Sequence, residues 1–402
     1  MTLSSWRPKV PTLLAVTVSG LYLALYLHYG VLSFLPLWLE SRGVPATQIG
    51  LLMAIPLLLR LVAVGPVVAW SGRRAQLRNA LIVFTVIAAV LAMSTAMIVD
   101  HLVLLTLFVF FAIAWDQLPV LADAYAVLTV RARGLDFGRL RVWGSLGVVG
   151  GSILGGAVFQ VGGIGLLPWL AGGLLGVLAV VSLTSPTDRK LSPPDEVRTE
   201  GDWKAVFADR QMMLAMFGTS LIAGSHGVLL SFGVIQFTAA GWSSSMVGAL
   251  LATGVLSEVI VLWFTQKLLK GGDPRGLILV AGVSAVVRWV IMAMTPIAPL
   301  VFFAQLLNGL SAMAPVVGMM LLIAHRTPSH LVGVAQGVNA VILGLGLAVV
   351  TLGSGFIWGQ GPAVAYGAMA VMALLGIPFL LGRETKPAAL ADVSDAATVK
   401  AP

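Results

Sequence analysis

The chain has no cysteine. That excludes disulfide frameworks, thiolate metal sites and cysteine nucleophiles outright. Charge is nearly as scarce: only 10% of the 402 residues are Asp, Glu, Lys or Arg, against about a quarter in a soluble domain. No HExxH and no GxSxG spacing occurs, and the nearest approach, GSGF at 353–356, has no partner residues. The chain is therefore not expected to be an enzyme, and no metal or other cofactor is expected. What it does have is apolar residue, 58% of the total. No soluble fold of this size could bury so much, so lipid must be the solvent for most of it.

A membrane helix needs roughly 20 apolar residues. Runs of that kind lie near 11–38, 47–70, 77–99, 102–127, 140–161 and 164–184, and again near 211–239, 245–267, 276–295, 297–322, 332–357 and 362–382. The first run is too long for a signal-peptide core and has no small-residue cleavage site. The fold class expected is an all-α integral membrane protein of twelve spans in two pseudo-symmetric six-helix bundles.

The net charge of +8 is not a nucleic-acid patch, because it alternates along the chain. Arg73, Arg74 and Arg78 lie between spans 2 and 3, Arg131 and Arg133 between 4 and 5, Lys267, Lys270 and Arg275 between 8 and 9, and Arg326 between 10 and 11. The opposite connections hold almost nothing: Glu40 and Arg42, then Asp100 and His101. By the positive-inside rule both termini are cytoplasmic. The polar stretch SPTDRKLSPPDEVRTEGDWKAVFADR reads as a cytoplasmic linker over 185–210. It separates an N-terminal bundle, 1–184, from a C-terminal bundle, 211–384, with a disordered tail over 385–402. Sliding the chain by 198 positions lays GVPATQIGLLMAIPLLLR (43–60) on GWSSSMVGALLATGVLSE (241–258) without gaps, pairing Gly43 with Gly241, Gly50 with Gly248 and Arg60 with Glu258. Such a repeat implies two bundles rocking about a central site.

Ionisable residues inside a membrane are costly, about 3 kcal/mol each at the centre, and mark pathways or relays. Candidates are Arg60 on span 2, Asp116 and Asp123 on span 4, Arg139 and Arg141 at the start of span 5, His226 on span 7, Glu258 on span 8 and Arg288 on span 9. Asp116 and Asp123 lie seven apart on one helix face, expected to look into the cavity. The pairs expected are Asp123 with Arg141, Arg60 with Asp116, and Glu258 with Arg288. The alternative for each is a structural salt bridge, weighed evenly for Arg60, Asp116, Glu258 and Arg288 and less heavily for Asp123 with Arg141. Arg139 is read as a gate or edge anchor, and His226 as packing or relay. Trp115 and Trp143 could line a cavity, while Trp38, Trp70, Trp203, Trp242 and Trp358 are read as interfacial anchors. The run GSLGVVGGSILGG (144–156) gives span 5 a smooth face for close helix approach.

FGRLRVWGSLG (137–147) resembles the span-5 signature of the lactose-permease relatives within the major facilitator superfamily. LPVLADA (118–124) and GWSSSMVG (241–248) are similar to patterns of the phenylpropionate permease-like branch. The resemblance covers roughly residues 20–345. It implies that Asp123, Arg141, Glu258, Arg288 and His226 carry proton and substrate coupling. Three departures stand out. Val148 occupies the place where sugar permeases stack a Trp. On span 10, Asn308 and Ser311 replace titratable residues. The loop AWSGRRAQLR (69–78) lacks its usual acid.

Together these readings predict a monomeric, proton-coupled symporter of a bacterial inner membrane, importing a small organic solute such as an aromatic monocarboxylate by alternating access. Arg141 or Arg288 would hold the carboxylate, and Asp123 and Asp116 the proton. The alternatives are a proton-linked efflux antiporter or a nucleoside or oligosaccharide symporter.

Overall fold

A computed structural model describes residues 13–73, 76–133, 137–187, 203–268, 274–294, 297–328 and 330–381. These residues form twelve helical spans: Leu14–Ser41, Ala46–Ala63, Leu77–Met97, His101–Val130, Phe137–Gly162, Ile164–Thr184, Arg210–Ala239, Ser244–Phe264, Pro274–Ala293, Ala298–Arg326, Val332–Trp358 and Pro362–Leu380. Helices are the expected solution, since lipid offers no partner for a bare backbone N–H or C=O. Arg74, Lys270, most of the linker (188–202) and the tail 385–402 lie outside the described residues, as do the side chains of Arg73, Arg131, Arg133, Trp203 and Lys267.

The repeat reappears as backbone geometry. Gly43, Gly163, Gly241 and Gly361 have φ of 77°, 78°, 82° and 107°. They form two pairs, 43 with 241 and 163 with 361, each separated by the same 198 positions. A left-handed residue ends a helix most cheaply as glycine. The bonds around the first pair match too: the Val44 N–H reaches Leu39 O at 3.1 Å, and the Trp242 N–H reaches Phe237 O at 3.0 Å.

Within the first bundle, span 1 packs along spans 5 and 6, and span 3 against spans 4 and 6. Within the second, span 7 lies against spans 11 and 12, and span 9 against spans 10 and 12. Polar side chains tie the helix ends. Arg78 donates to Ser182 O at 3.0 Å and to Leu183 O at 2.6 Å, satisfying the open carbonyls at the end of span 6. Asp209 caps span 7 through the Met212 N–H at 3.0 Å and faces Arg326 at 3.8 Å. Trp38 departs from the interfacial role expected of it. It is only 2% exposed, packed in the core, and Arg42 lies 5.5 Å above its ring while donating to Ile98 O.

The bundles touch through spans 5 and 8, spans 2 and 11, and the later parts of spans 1 and 7. Glycine makes the closest approaches possible. A Cβ on Gly50 would sit 2.9 Å from Gly355 N, and one on Gly156 would sit 2.6 Å from Ser244 O. A Cβ on Gly248 would strike Ser152 O. Gly50 and Gly248, matched by the repeat, thus occupy the crossings of spans 2 with 11 and 5 with 8. Both crossings lie at the end where spans 2 and 8 begin, so the molecule is sealed there. Toward the other end, Arg60, Asp123 and Arg141 keep side-chain exposures of 45%, 39% and 38%. Such charged groups must face water, not lipid, so the cleft is open on that side. Gly248→Leu should push the span 5–8 crossing apart and open the sealed end. In this naturally cysteine-free chain a lone V255C, on the cavity wall, then reports the change: alkylation by a membrane-impermeant maleimide applied at the sealed end should rise several-fold, and an unchanged rate would show that the crossing tolerates the side chain.

Candidate substrate cavity and its charges

Three spans are interrupted where they meet the centre of the molecule, two of them at proline or glycine. Span 1 breaks between Leu13–Leu32 and Leu35–Ser41, just before Pro36, which has no N–H to continue the ladder. Span 7 breaks between Arg210–Gly224 and Gly227–Ala239, and Ser225 there accepts the Trp289 indole N–H at 2.8 Å. Span 10 carries a π-turn over Gly309–Met313, followed by Pro315. Gly309 is needed at that turn: a Cβ would collide with Ser257 O, and its N–H donates to Ser257 Oγ at 2.8 Å. Such turns are frequent at functional sites because they swing side chains out of helical register.

Between the bundles lies a cavity of about 680 Å³, lined from spans 1, 2, 5 and 7 to 11. Its walls are mainly aliphatic (Leu57, Leu61, Leu229, Leu343 and Leu347 among them) with few polar groups: Ser33, Arg60 and Ser152 on one bundle, and His226, Glu258, Arg288, Gln305 and Asn308 on the other. An apolar hollow with a few convergent polar groups is the usual form of a small-molecule site.

On the first bundle, Arg60 grips Asp116. Its Nη2 lies 2.6 Å from Oδ1, and its Nε lies 3.2 and 3.3 Å from the two oxygens. Arg60 faces the cavity while Asp116, with its side chain only 2% exposed, sits behind it. Pro56 and Pro119 interrupt the helix ladders close to the two residues. Seven residues on, Asp123 accepts from the Tyr22 hydroxyl at 2.7 Å and lies 3.7 Å from Arg141 Nε. The Arg141 guanidinium stacks 4.4 Å over Tyr26 and 5.4 Å over Tyr22. The expectation that Asp116 and Asp123 both line the cavity fails. Asp116 is screened by Arg60, and Asp123, bonded to Tyr22, opens onto the water-facing cleft beyond the residues that line the cavity. Trp115 and Trp143 do not line it either. Trp115 stacks on Phe111 at 5.8 Å and lies tilted against Tyr29 at 4.9 Å, and Trp143 is exposed elsewhere. Arg139 is exposed at the start of span 5.

On the second bundle, the expected Glu258–Arg288 ion pair is absent. Glu258 instead accepts from the Asn308 amide at 2.7 Å. Arg288, 1% exposed, donates to Gln305 Oε1 at 2.8 Å and Ser311 Oγ at 3.2 Å, and lies 4.7 Å over the Trp289 ring. His226 contacts Ala223 O at 3.1 Å through Nδ1 and Ser311 Oγ at 3.3 Å through Nε2. Neutral amides and a hydroxyl have taken the places that opposite charges were expected to fill. Gln305 was missed in the sequence because an uncharged residue in an apolar run carries no signal of its own. Its three-residue spacing from Asn308 on one helix face was the available clue.

Twelve spans in two pseudo-symmetric bundles around one central cavity define a secondary transporter of the major facilitator type, not an enzyme. The chain belongs to the MFS_1-like family, whose profile matches residues 15–368. It is 29% identical over 369 residues, 90% of this chain and 95% of the relative, to a probable 3-phenylpropionic acid transporter of Escherichia coli (strain K12). In fold it is similar to the nucleoside transporter NupG, with a TM-score of 0.78 at 14% identity over 92% of this chain and 100% of that one. A D-xylose-proton symporter gives 0.69 at 13% identity over 92% and 98%. The spans and the family place the protein in the bacterial inner membrane as a multi-pass protein.

Truncating Gln305 should leave part of a buried guanidinium unpaired, a loss of about 2 kcal/mol. Gln305→Leu is therefore expected to lower the Tm of the detergent-solubilised protein well below that of the nearby cavity variant Val316→Ala. Equal Tm values would mean that Arg288 finds another partner.

Proposed function

We propose that the protein imports a small aromatic monocarboxylate, such as 3-phenylpropionate, together with protons by alternating access. The observation that carries this reading is the aliphatic cavity between the bundles, with guanidinium groups, Arg60 and Arg288, set into its wall. An aryl ring suits the leucine-lined surface, and a carboxylate suits a guanidinium through charge-assisted, bidentate hydrogen bonds. The similarity to a probable 3-phenylpropionic acid transporter supports the same substrate class.

In this reading the residues 1–184 and 211–384 are the rocking bodies, joined through 185–210, and one chain suffices. Both termini face the cytoplasm, as the basic connections favour. The sealed glycine crossings are then periplasmic, and the cavity opens inward. Asp116, Asp123, Arg141, Glu258, Arg288 and His226 are the groups available to proton and substrate, with Arg60 joining them on the cavity wall. Alternation follows when the crossings of spans 2 with 11 and 5 with 8 part and the opposite ends close.

The test is uptake of labelled 3-phenylpropionate into proteoliposomes under an imposed inward proton gradient. Accumulation above equilibrium that collapses with a protonophore is the expected result. A folded protein that shows no accumulation, or that moves the label against the gradient only outward, would exclude proton-driven import of this substrate.

A further inference from the structure

The described residues offer four places where a proton could act on an intramembrane charge, and three of them release nothing. Glu258 is held by the neutral Asn308 amide, so a proton there frees no cation. Arg288 is held by neutral Gln305 and Ser311, and a proton on His226 would add charge beside it without detaching it. Asp123 takes its short bond from Tyr22, and Arg141 stands 3.7 Å off, beyond hydrogen-bond reach. A proton on Asp123 removes the charge opposite Arg141, but that guanidinium stays stacked over Tyr26 and Tyr22, outside the residues that line the cavity.

The fourth place is different. Arg60 makes three hydrogen-bond contacts with Asp116, at 2.6, 3.2 and 3.3 Å. The arginine is 45% exposed and lines the cavity, while the aspartate beneath it is 2% exposed. A carboxylate arriving in the cavity meets the guanidinium first. As long as Asp116 is ionised, that guanidinium is already neutralised, and a second anion beside the pair would leave one negative charge uncompensated in a poorly solvated place. With Asp116 protonated, the substrate carboxylate replaces it as the counterion. Asp123 and Arg141 share Tyr26 with Arg60 but lie outside the residues that line the cavity. Span 3 has no ionisable side chain between Leu81 and Met97, and span 5 has none between Trp143 and Gly162. Span 1 contributes Tyr29, within electrostatic reach of both members, and Tyr26, within reach of Arg60. The Tyr29 hydroxyl is buried without a hydrogen-bond partner, a spare donor beside the pair.

We infer that the Arg60–Asp116 pair is the exchange site for proton and carboxylate: the substrate binds Arg60 as the proton binds Asp116, so that one proton enters with each monocarboxylate and no net charge crosses the membrane. This rests on the import reading above and assigns its coupling step to the first bundle, with Arg60, not Arg141 or Arg288, as the carboxylate's partner. The second bundle, with its charges fixed by neutral groups, contributes recognition that does not change with proton binding.

Wild type, D116N and R60Q are reconstituted in proteoliposomes, and two quantities are read with labelled 3-phenylpropionate: accumulation driven by a proton gradient, and exchange at equal pH. Wild type should accumulate the label and be indifferent to a potassium–valinomycin potential. D116N should lose accumulation at least tenfold yet retain exchange, since its Arg60 is permanently free for the anion. R60Q should lose both. Accumulation by D116N at the wild-type level, a wild-type rate that follows the membrane potential, or exchange surviving in R60Q overturns the inference while leaving import intact. Should D116N fail to fold, the double variant R60Q/D116N, which removes both charges together, is expected to fold and to lose exchange, and proton-driven accumulation by it overturns the assignment. A wild type that takes up no 3-phenylpropionate overturns the import reading and this step with it.

Discussion

A charge placed in hydrocarbon has to find its partner within the protein, and the centre of this molecule is organised around that constraint. The two bundles meet it differently. In the first, opposite charges meet: Asp116 beneath Arg60, and Asp123 near Arg141 with Tyr22 supplying the closer bond. In the second, Glu258 and Arg288 are held separately by Asn308, Gln305 and Ser311. A close ion pair dissolves when one member is neutralised, whereas an amide–ion hydrogen bond does not exchange its partner in that way. The first arrangement suits a switch and the second a fixed surface.

Backbone freedom is concentrated where the cavity needs it. Breaks in spans 1 and 7 and the π-turn in span 10 all lie beside the central hollow, and Pro36, Pro315 and Gly309 account for two of the three. Non-helical backbone at membrane depth is tolerated there because protein and cavity surround it. The same economy governs the contact between bundles. Association in lipid gains little from the hydrophobic effect, so close packing has to supply the attraction. Glycines on spans 2, 5, 8 and 11 bring backbone against backbone at two crossings.

The sequence alone determined that the chain crosses a membrane twelve times and that its halves repeat at an offset of 198 positions, because apolar length and glycine position are one-dimensional properties. Gly43 and Gly241 could be matched from the letters alone, and their shared left-handed turn follows from what glycine permits. The identities of the intramembrane charges were equally legible, since any ionisable letter in an apolar run stands out. Their partners were not. Arg60 and Asp116 belong together, but nothing along the chain shows that Asp116 lies behind Arg60 rather than in the cavity. Glu258 and Arg288 looked complementary, yet the π-turn presents Asn308 and Ser311 between spans 8 and 9, and neutral groups satisfy both ions. That outcome depends on side-chain reach across three helices, a matter of a few ångströms fixed only when the bundle packs. Which end is sealed was likewise decided by tertiary structure, because the same glycines would serve either state of the transporter and only their contact with the opposite bundle distinguishes one from the other.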